Sequence, residues 1–149
     1  MYRAELAVSA IPQFRTPRFK LAQIAANSVL KELGFPKPPI PLEEFFFRRD
    51  WRICYEELEN IDGFMVKVPR KRGNKFVVYL STVGDSAYAE DTLQKRQFFT
   101  LAHELGHILL HGRYILNSES NMGMIPEEVA GVMEVEAHWF ASRVLMPNY

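Results

Sequence analysis

Apolar residues recur along this chain in two rhythms, and the change of rhythm divides it. Between Arg18 and Leu33, the residues Leu21, Ile24, Ala25, Val29 and Leu33 fall at helical spacing, with Gly34 as a stop signal. Phe35 to Pro41 is rich in proline and reads as an irregular connector, and Pro41 opens a short helix over Leu42 to Arg49. From Trp51 the period changes to two. Trp51, Ile53 and Tyr55 alternate within Trp51 to Glu57, and Phe64, Val66 and Val68 alternate within Ile61 to Pro69 after the turn signal Asp62-Gly63. Lys75 to Thr82, carrying Phe76 to Leu80, is a third strand beyond a charged hairpin loop with Gly73. The helical rhythm then returns. Asp91 and Gln94 resemble a capping box that starts a long helix ended by Gly112. Pro126-Glu127-Glu128 begins a last helix that runs to about Leu145, with Pro147 beyond it. Val83 to Glu90 and Arg113 to Ile125 read as loops, and residues 1–17, with Pro12 and Pro17, as an N-terminal arm. The pattern predicts an α+β fold over residues 1–149, one domain with a small, mostly antiparallel three-stranded sheet packed on helices.

The long helix is unusual because it is apolar nearly all round. Phe98, Leu101, Ala102, Leu105, Ile108 and Leu109 cover one side, and Phe99 and Leu110 flank the other. Such a helix belongs in a core, yet it carries His103, Glu104 and His107 as His-Glu-x-x-His. Each helical residue turns by about 100°, so the two imidazoles point within about 40° of each other and can share one metal ion. Glu104 lies about 60° from His107, too far round to ligate comfortably but placed to touch a water on the metal. Two ligands and a general base on one helix are the donor set of a zinc peptidase. Gly106, mid-helix, implies close approach of another backbone, since Gly costs roughly 1 kcal/mol against Ala there.

Composition narrows the classes without choosing among them. The 149 residues suit one domain with a proper core. Lys+Arg and Asp+Glu both number 18, so no global field draws the chain to nucleic acid or membrane. The basic clusters are expected to be solvated faces and a turn, and no helix-turn-helix signature accompanies them. Cys54 stands alone, so no internal disulfide forms. No signal peptide or membrane span is seen, and the expected location is cytoplasmic.

A catalytic zinc takes three protein ligands and keeps a position for water. The last helix offers Glu134 and Glu136. Glu136 shares its face with Val129, Val132, Met133 and Phe140, whereas Glu134 lies opposite with Ala130, His138, Ala141 and Leu145. A carboxylate in the bulkier apolar stripe needs a partner, and a metal would serve. Glu136 is therefore the expected third ligand. The competing reading pairs Glu136 with an arginine such as Arg143. Glu134 and His138, one turn apart, are expected to pair on the solvent side. His111 lies about 80° from His103 and nearly two turns further on, so it reads as a packing histidine or a support behind the ligands.

HELGHILLH from His103, the preceding RQFFTLA and the later EVEAHWFASRVLMP resemble the ImmA/IrrE family of metallopeptidases, as do PPIPLEEFF and IDGFMVKV. The resemblance spans roughly residues 36–147. It implies a zincin-like fold around a central buried HExxH helix, zinc on His103, His107 and Glu136, and Glu104 as catalytic base. It also implies a substrate class, helix-turn-helix repressors of mobile elements or stress genes, here on a separate chain. The sequence departs from the family's usual residues at His138, Phe99 and Ser81. The leading expectation is a zinc-dependent endopeptidase that cleaves such a regulator. The alternative is a non-catalytic, metal-binding partner of a transcription factor or toxin–antitoxin component. Neither needs direct contact with nucleic acid.

Overall fold

The computed structural model describes residues 14–84, 90–115 and 125–149. The outer arm, the Asp91 side chain of the expected capping box and the middle of the loop after Tyr114 lie outside the described residues. The described elements run α1 (Phe19–Glu32), α2 (Leu42–Arg48), β1 (Arg52–Glu56), β2 (Gly63–Pro69), β3 (Asn74–Ser81), α3 (Glu90–His111), a 3-10 turn (Gly112–Tyr114) and α4 (Glu127–Leu145). Among the described residues the architecture is α+β, a three-stranded sheet with four helices.

The strands form where the period of two predicts them, but their order corrects the expectation of a mostly antiparallel sheet. The order is β1-β3-β2. β2 and β3 are an antiparallel hairpin with Met65 opposite Val78, while β1 runs parallel to β3 with Cys54 opposite Tyr79. β3 carries the most buried side chains, Phe76, Val78 and Leu80, so it takes the centre. Residues 57–73, β2 included, then supply the long crossover that a parallel pair requires. Alternation identifies strands, but it does not say which neighbour each one chooses.

α1 forms as predicted, and of its spaced apolar residues Val29 is buried while Ala25 and Leu33 pack against the core. Ala22, Ala26, Val29 and Leu30 are buried, while Leu21 and Ile24 are exposed. Small alanines let α1 lie close to its neighbours. The helix ends in a Schellman-type turn: Gly34 sits at φ 80, and the Phe35 amide donates to the carbonyl of Leu30.

One buried cluster joins α1, α2, the inner sheet face, α3 and α4, including Leu42, Phe46, Met65, Val78, Leu101, Leu105 and Phe140. Within it, α3 and α4 approach closely at Gly106. A Cβ placed there would lie 3.2 Å from Ala137 Cα and 3.0 Å from Phe140 Cδ1. The mid-helix glycine thus meets another backbone, as its cost predicts. On the sheet side, Gln97 donates to the Ser81 carbonyl, and Lys67 donates to the Gly112 carbonyl at the end of α3. These contacts fix how deep α3 sits and which way its histidines look.

Candidate metal centre

α3 places His103 and His107 one turn apart, with ring centroids 4.8 Å apart and ring planes perpendicular. α4 brings a carboxylate to both. Glu134 Oε2 lies 3.1 Å from His103 Nε2, and Glu134 Oε1 lies 2.9 Å from His107 Nε2. One donor atom from each residue falls within 4.8 Å of the others, close enough to hold a metal ion. Two imidazoles and one carboxylate match the donors of a site that leaves a position open for water.

The buried polar atoms test whether such an ion fits. His107 is fully buried, and its Nε2 makes no hydrogen bond among the described residues, although Glu134 Oε1 lies 2.9 Å away. An unsatisfied buried nitrogen costs roughly 1–3 kcal/mol. An ion between imidazole and carboxylate satisfies it. Glu104 Oε2 is also buried without a hydrogen-bond partner among the described residues, while Glu104 Oε1 lies 3.8 Å from His103 Nδ1. The donors therefore fit a metal.

Electrostatics agrees. Burial disfavours a charge on His103, but Glu104 and Glu134 outweigh it and push the imidazole up to about 10. The neighbouring His103 and His107 imidazoles hold the Glu134 carboxyl well below the usual carboxylate range. The site is thus built to keep positive charge between these groups. A proton and a metal cation compete for the same nitrogen.

Glu136, the expected third ligand, is not in this group. Its side chain is fully buried, and it accepts three hydrogen bonds from Arg18: from the backbone N–H at 2.7 Å, from Nε at 2.8 Å and from Nη2 at 2.8 Å. His111 Nε2 lies 2.8 Å from its other side. The reason is the direction in which α4 packs. Residues two apart on a helix point about 160° apart, so only one of the two carboxylates can face α3. The face towards α3 is the one with small residues, where Ala137 meets Gly106. The bulkier stripe with Glu136 turns towards Arg18, at the start of α1. The expected solvent-side pair is also replaced: Glu134 serves the imidazoles, and the His138 ring packs edge-on against Phe99. The signal that could have found Glu134 was the alanine-lined side of α4 facing a mid-helix glycine.

His111 is fully buried behind the ligand pair, with Nδ1 2.9 Å from Nδ1 of His107. Burial, and after it neighbouring positive charge, lower its pKa against the pull of Glu136. Burial raises the Glu136 carboxyl, but the Arg18 and His111 hydrogen bonds outweigh that and hold it at about 2.

No curated protein sequence matches the chain. Residues 87–149 match the family model Peptidase_M78, described as the IrrE N-terminal-like domain. That span holds both halves of the candidate centre, the histidines of α3 and the glutamate of α4, while residues 36–86 of the sequence resemblance fall outside it. The helix pair that carries the candidate ligands is thus similar to the IrrE N-terminal-like domain, in keeping with the resemblance of its motifs to the ImmA/IrrE metallopeptidases.

Proposed function

We propose that this protein is a zinc-dependent endopeptidase with a zincin-like active site, in which His103, His107 and Glu134 hold the ion and Glu104 is the general base. The observation that carries this is one carboxylate reaching both imidazoles of the His-Glu-x-x-His pair beside a buried, unpartnered Glu104 oxygen. Zinc bound there supplies Lewis acidity and brings the pKa of a water down to about 7. Glu104 Oε2 has a free lone pair with which to take the proton from the attacking water. The same carboxyl then hands that proton to the nitrogen of the leaving amine. Burial of Glu104 and His107 excludes bulk water and strengthens both contacts.

The substrate in this reading is a separate regulatory protein, a helix-turn-helix repressor or similar, met in the cytoplasm without contact to nucleic acid. What supports it is the family of the matched span together with a balanced overall charge. Among the described residues, no helix is long and apolar enough to cross a membrane.

The test is Glu104→Gln, followed by co-expression with a candidate repressor and intact mass. Zinc content should persist while cleavage falls by about 100- to 10,000-fold, the usual worth of a general base. Equal cleavage by the variant removes Glu104 from this role. A stable, uncleaved complex with zinc-loaded wild type favours the non-catalytic regulator instead.

A further inference from the structure

We infer that His111, Glu136 and Arg18 form a positioning relay that fixes the proton on His107 and so tunes how tightly the centre grips its metal. The inference rests on the metal-centre reading above.

His107 Nε2 makes no hydrogen bond among the described residues, and hydrogen-bond bookkeeping along the chain agrees with a hydrogen-free nitrogen there. Arg18 has only donors, and it directs three of them at Glu136. Glu136 is therefore an acceptor towards its remaining neighbour. That neighbour is His111 Nε2 at 2.8 Å, which must carry a hydrogen and donate it. A neutral imidazole with hydrogen on Nε2 has a lone pair on Nδ1. His107 Nδ1, 2.9 Å away, must then donate into it. With its hydrogen on Nδ1, His107 presents a lone pair on Nε2, the atom that lies beside Glu134 and lacks a hydrogen bond. Every donor in the sequence Arg18, Glu136, His111, His107 thus agrees with its neighbour, and the chain ends on a nitrogen prepared for a cation.

Such a relay does two things. It selects the ligating tautomer before an ion arrives, and it raises the basicity of the ligating nitrogen through the hydrogen bond at the other one. It also ties the metal centre to the segment that precedes α1. The Arg18 guanidinium stacks on the Phe14 ring at 3.6 Å, and Phe14 stacks on His111 with centroids 6.4 Å apart. The two histidines and Glu136 are fully buried, so water cannot replace a missing member cheaply.

The measurements are zinc dissociation constants by chelator competition and the visible spectrum of the cobalt-loaded protein, with the fold of each metal-free variant checked by circular dichroism. His111→Leu should raise the zinc dissociation constant about 10- to 100-fold and shift the cobalt bands, the usual range for losing a ligand's support. His111→Asn keeps an acceptor near the Nδ1 position and should recover most of that loss, which a packing role alone would not produce. Arg18→Ala keeps the backbone donor to Glu136 but removes both guanidinium donors, and should weaken zinc in the same direction by a smaller factor. A folded His111→Leu protein with zinc affinity within twofold of wild type and an unchanged cobalt spectrum overturns the relay. If His111→Leu does not fold, an Arg18→Ala protein with wild-type affinity overturns it equally. Failure of the wild-type protein to bind zinc at all instead removes the metal centre itself, and the relay with it.

Discussion

Glu134 and Glu136 are the same residue type on the same helix, two positions apart, and they live in opposite environments. Glu134 keeps half of its side chain exposed and leans over two imidazoles. Glu136 is sealed among Arg18, His111 and apolar neighbours, with every contact satisfied. In the proposed reading the more buried carboxylate is the structural one. A carboxylate with arginine, imidazole and backbone donors has no need of an ion, whereas a half-exposed one facing imidazoles has coordination left to give. Depth of burial marks where a charge must be compensated; it does not mark where chemistry happens.

The largest expected effect breaks the comparison at Glu134. Glu134→Ala removes a proposed ligand and should lower zinc affinity by more than about 100-fold, beyond what losing a supporting group costs. Thermal stability of the metal-free protein should change little, because the side chain is half-exposed. Zinc titration and a melting curve give both numbers. Retention of tight zinc by this variant would return the ligand role to another residue.

The second effect falls on Glu136 and shows in stability against pH. Its folded carboxyl titrates near 2, below the ordinary value of 4.5. A group with a depressed folded pKa stabilises the protein above its unfolded pKa and loses that contribution as pH falls. Stability of the metal-free protein should therefore drop between pH 5 and 2, by about 3 kcal/mol if Glu136 keeps its full shift. Glu136→Gln cannot take up that proton. Urea unfolding of wild type and variant across the range should show their difference in stability shrinking as pH falls. A constant difference would mean that the Arg18 contact contributes no pH-dependent stability.

Much of the fold was legible because it depends on local period. The helices from Phe19, Leu42 and Glu127 and all three strands follow from spacing and punctuation. The His103–His107 pair was legible because one helical turn is a local geometry. What failed were pairing choices. The parallel β1–β3 ladder depends on a seventeen-residue crossover, residues 57–73, that alternation does not describe. On α1, Val29 is buried and Ala25 and Leu33 pack on the core as the spacing implies, but Ala22 and Ala26, weak in hydropathy, are buried where Leu21 and Ile24 are exposed. Glu134 was passed over for the same reason: its side of α4 is lined with small residues, and small residues mark where helices touch. The partner of Glu136 came from Arg18, 118 residues earlier, where no pattern on α4 could point.

The smallest effect sharpens the comparison at the helix contact that directs Glu134 inward. Two glycines sit in these helices in different surroundings. Around Gly131 a new Cβ meets nothing within 4 Å, while at Gly106 it meets Ala137 Cα and O at 3.2 Å and Phe140 at 3.0 Å. Alanine gains roughly 1 kcal/mol over glycine from helix propensity at either position. Gly131→Ala should keep that gain and raise the melting temperature by about 2–4 °C. At Gly106 the gain is opposed by overpacking of about 1–3 kcal/mol, because backbone cannot yield as a side-chain tip can. Gly106→Ala should therefore leave stability near or slightly below wild type. It should also push α4 away from α3 and weaken zinc binding, because Glu134 lies one turn from the contact. Glu136, directed to α1, should keep its pairing with Arg18, so the pH dependence below 5 should survive in Gly106→Ala. Loss of zinc affinity without loss of that pH dependence would separate the two carboxylates by a substitution that touches neither. If both are unchanged, the Gly106–Ala137 contact does not set the reach of Glu134.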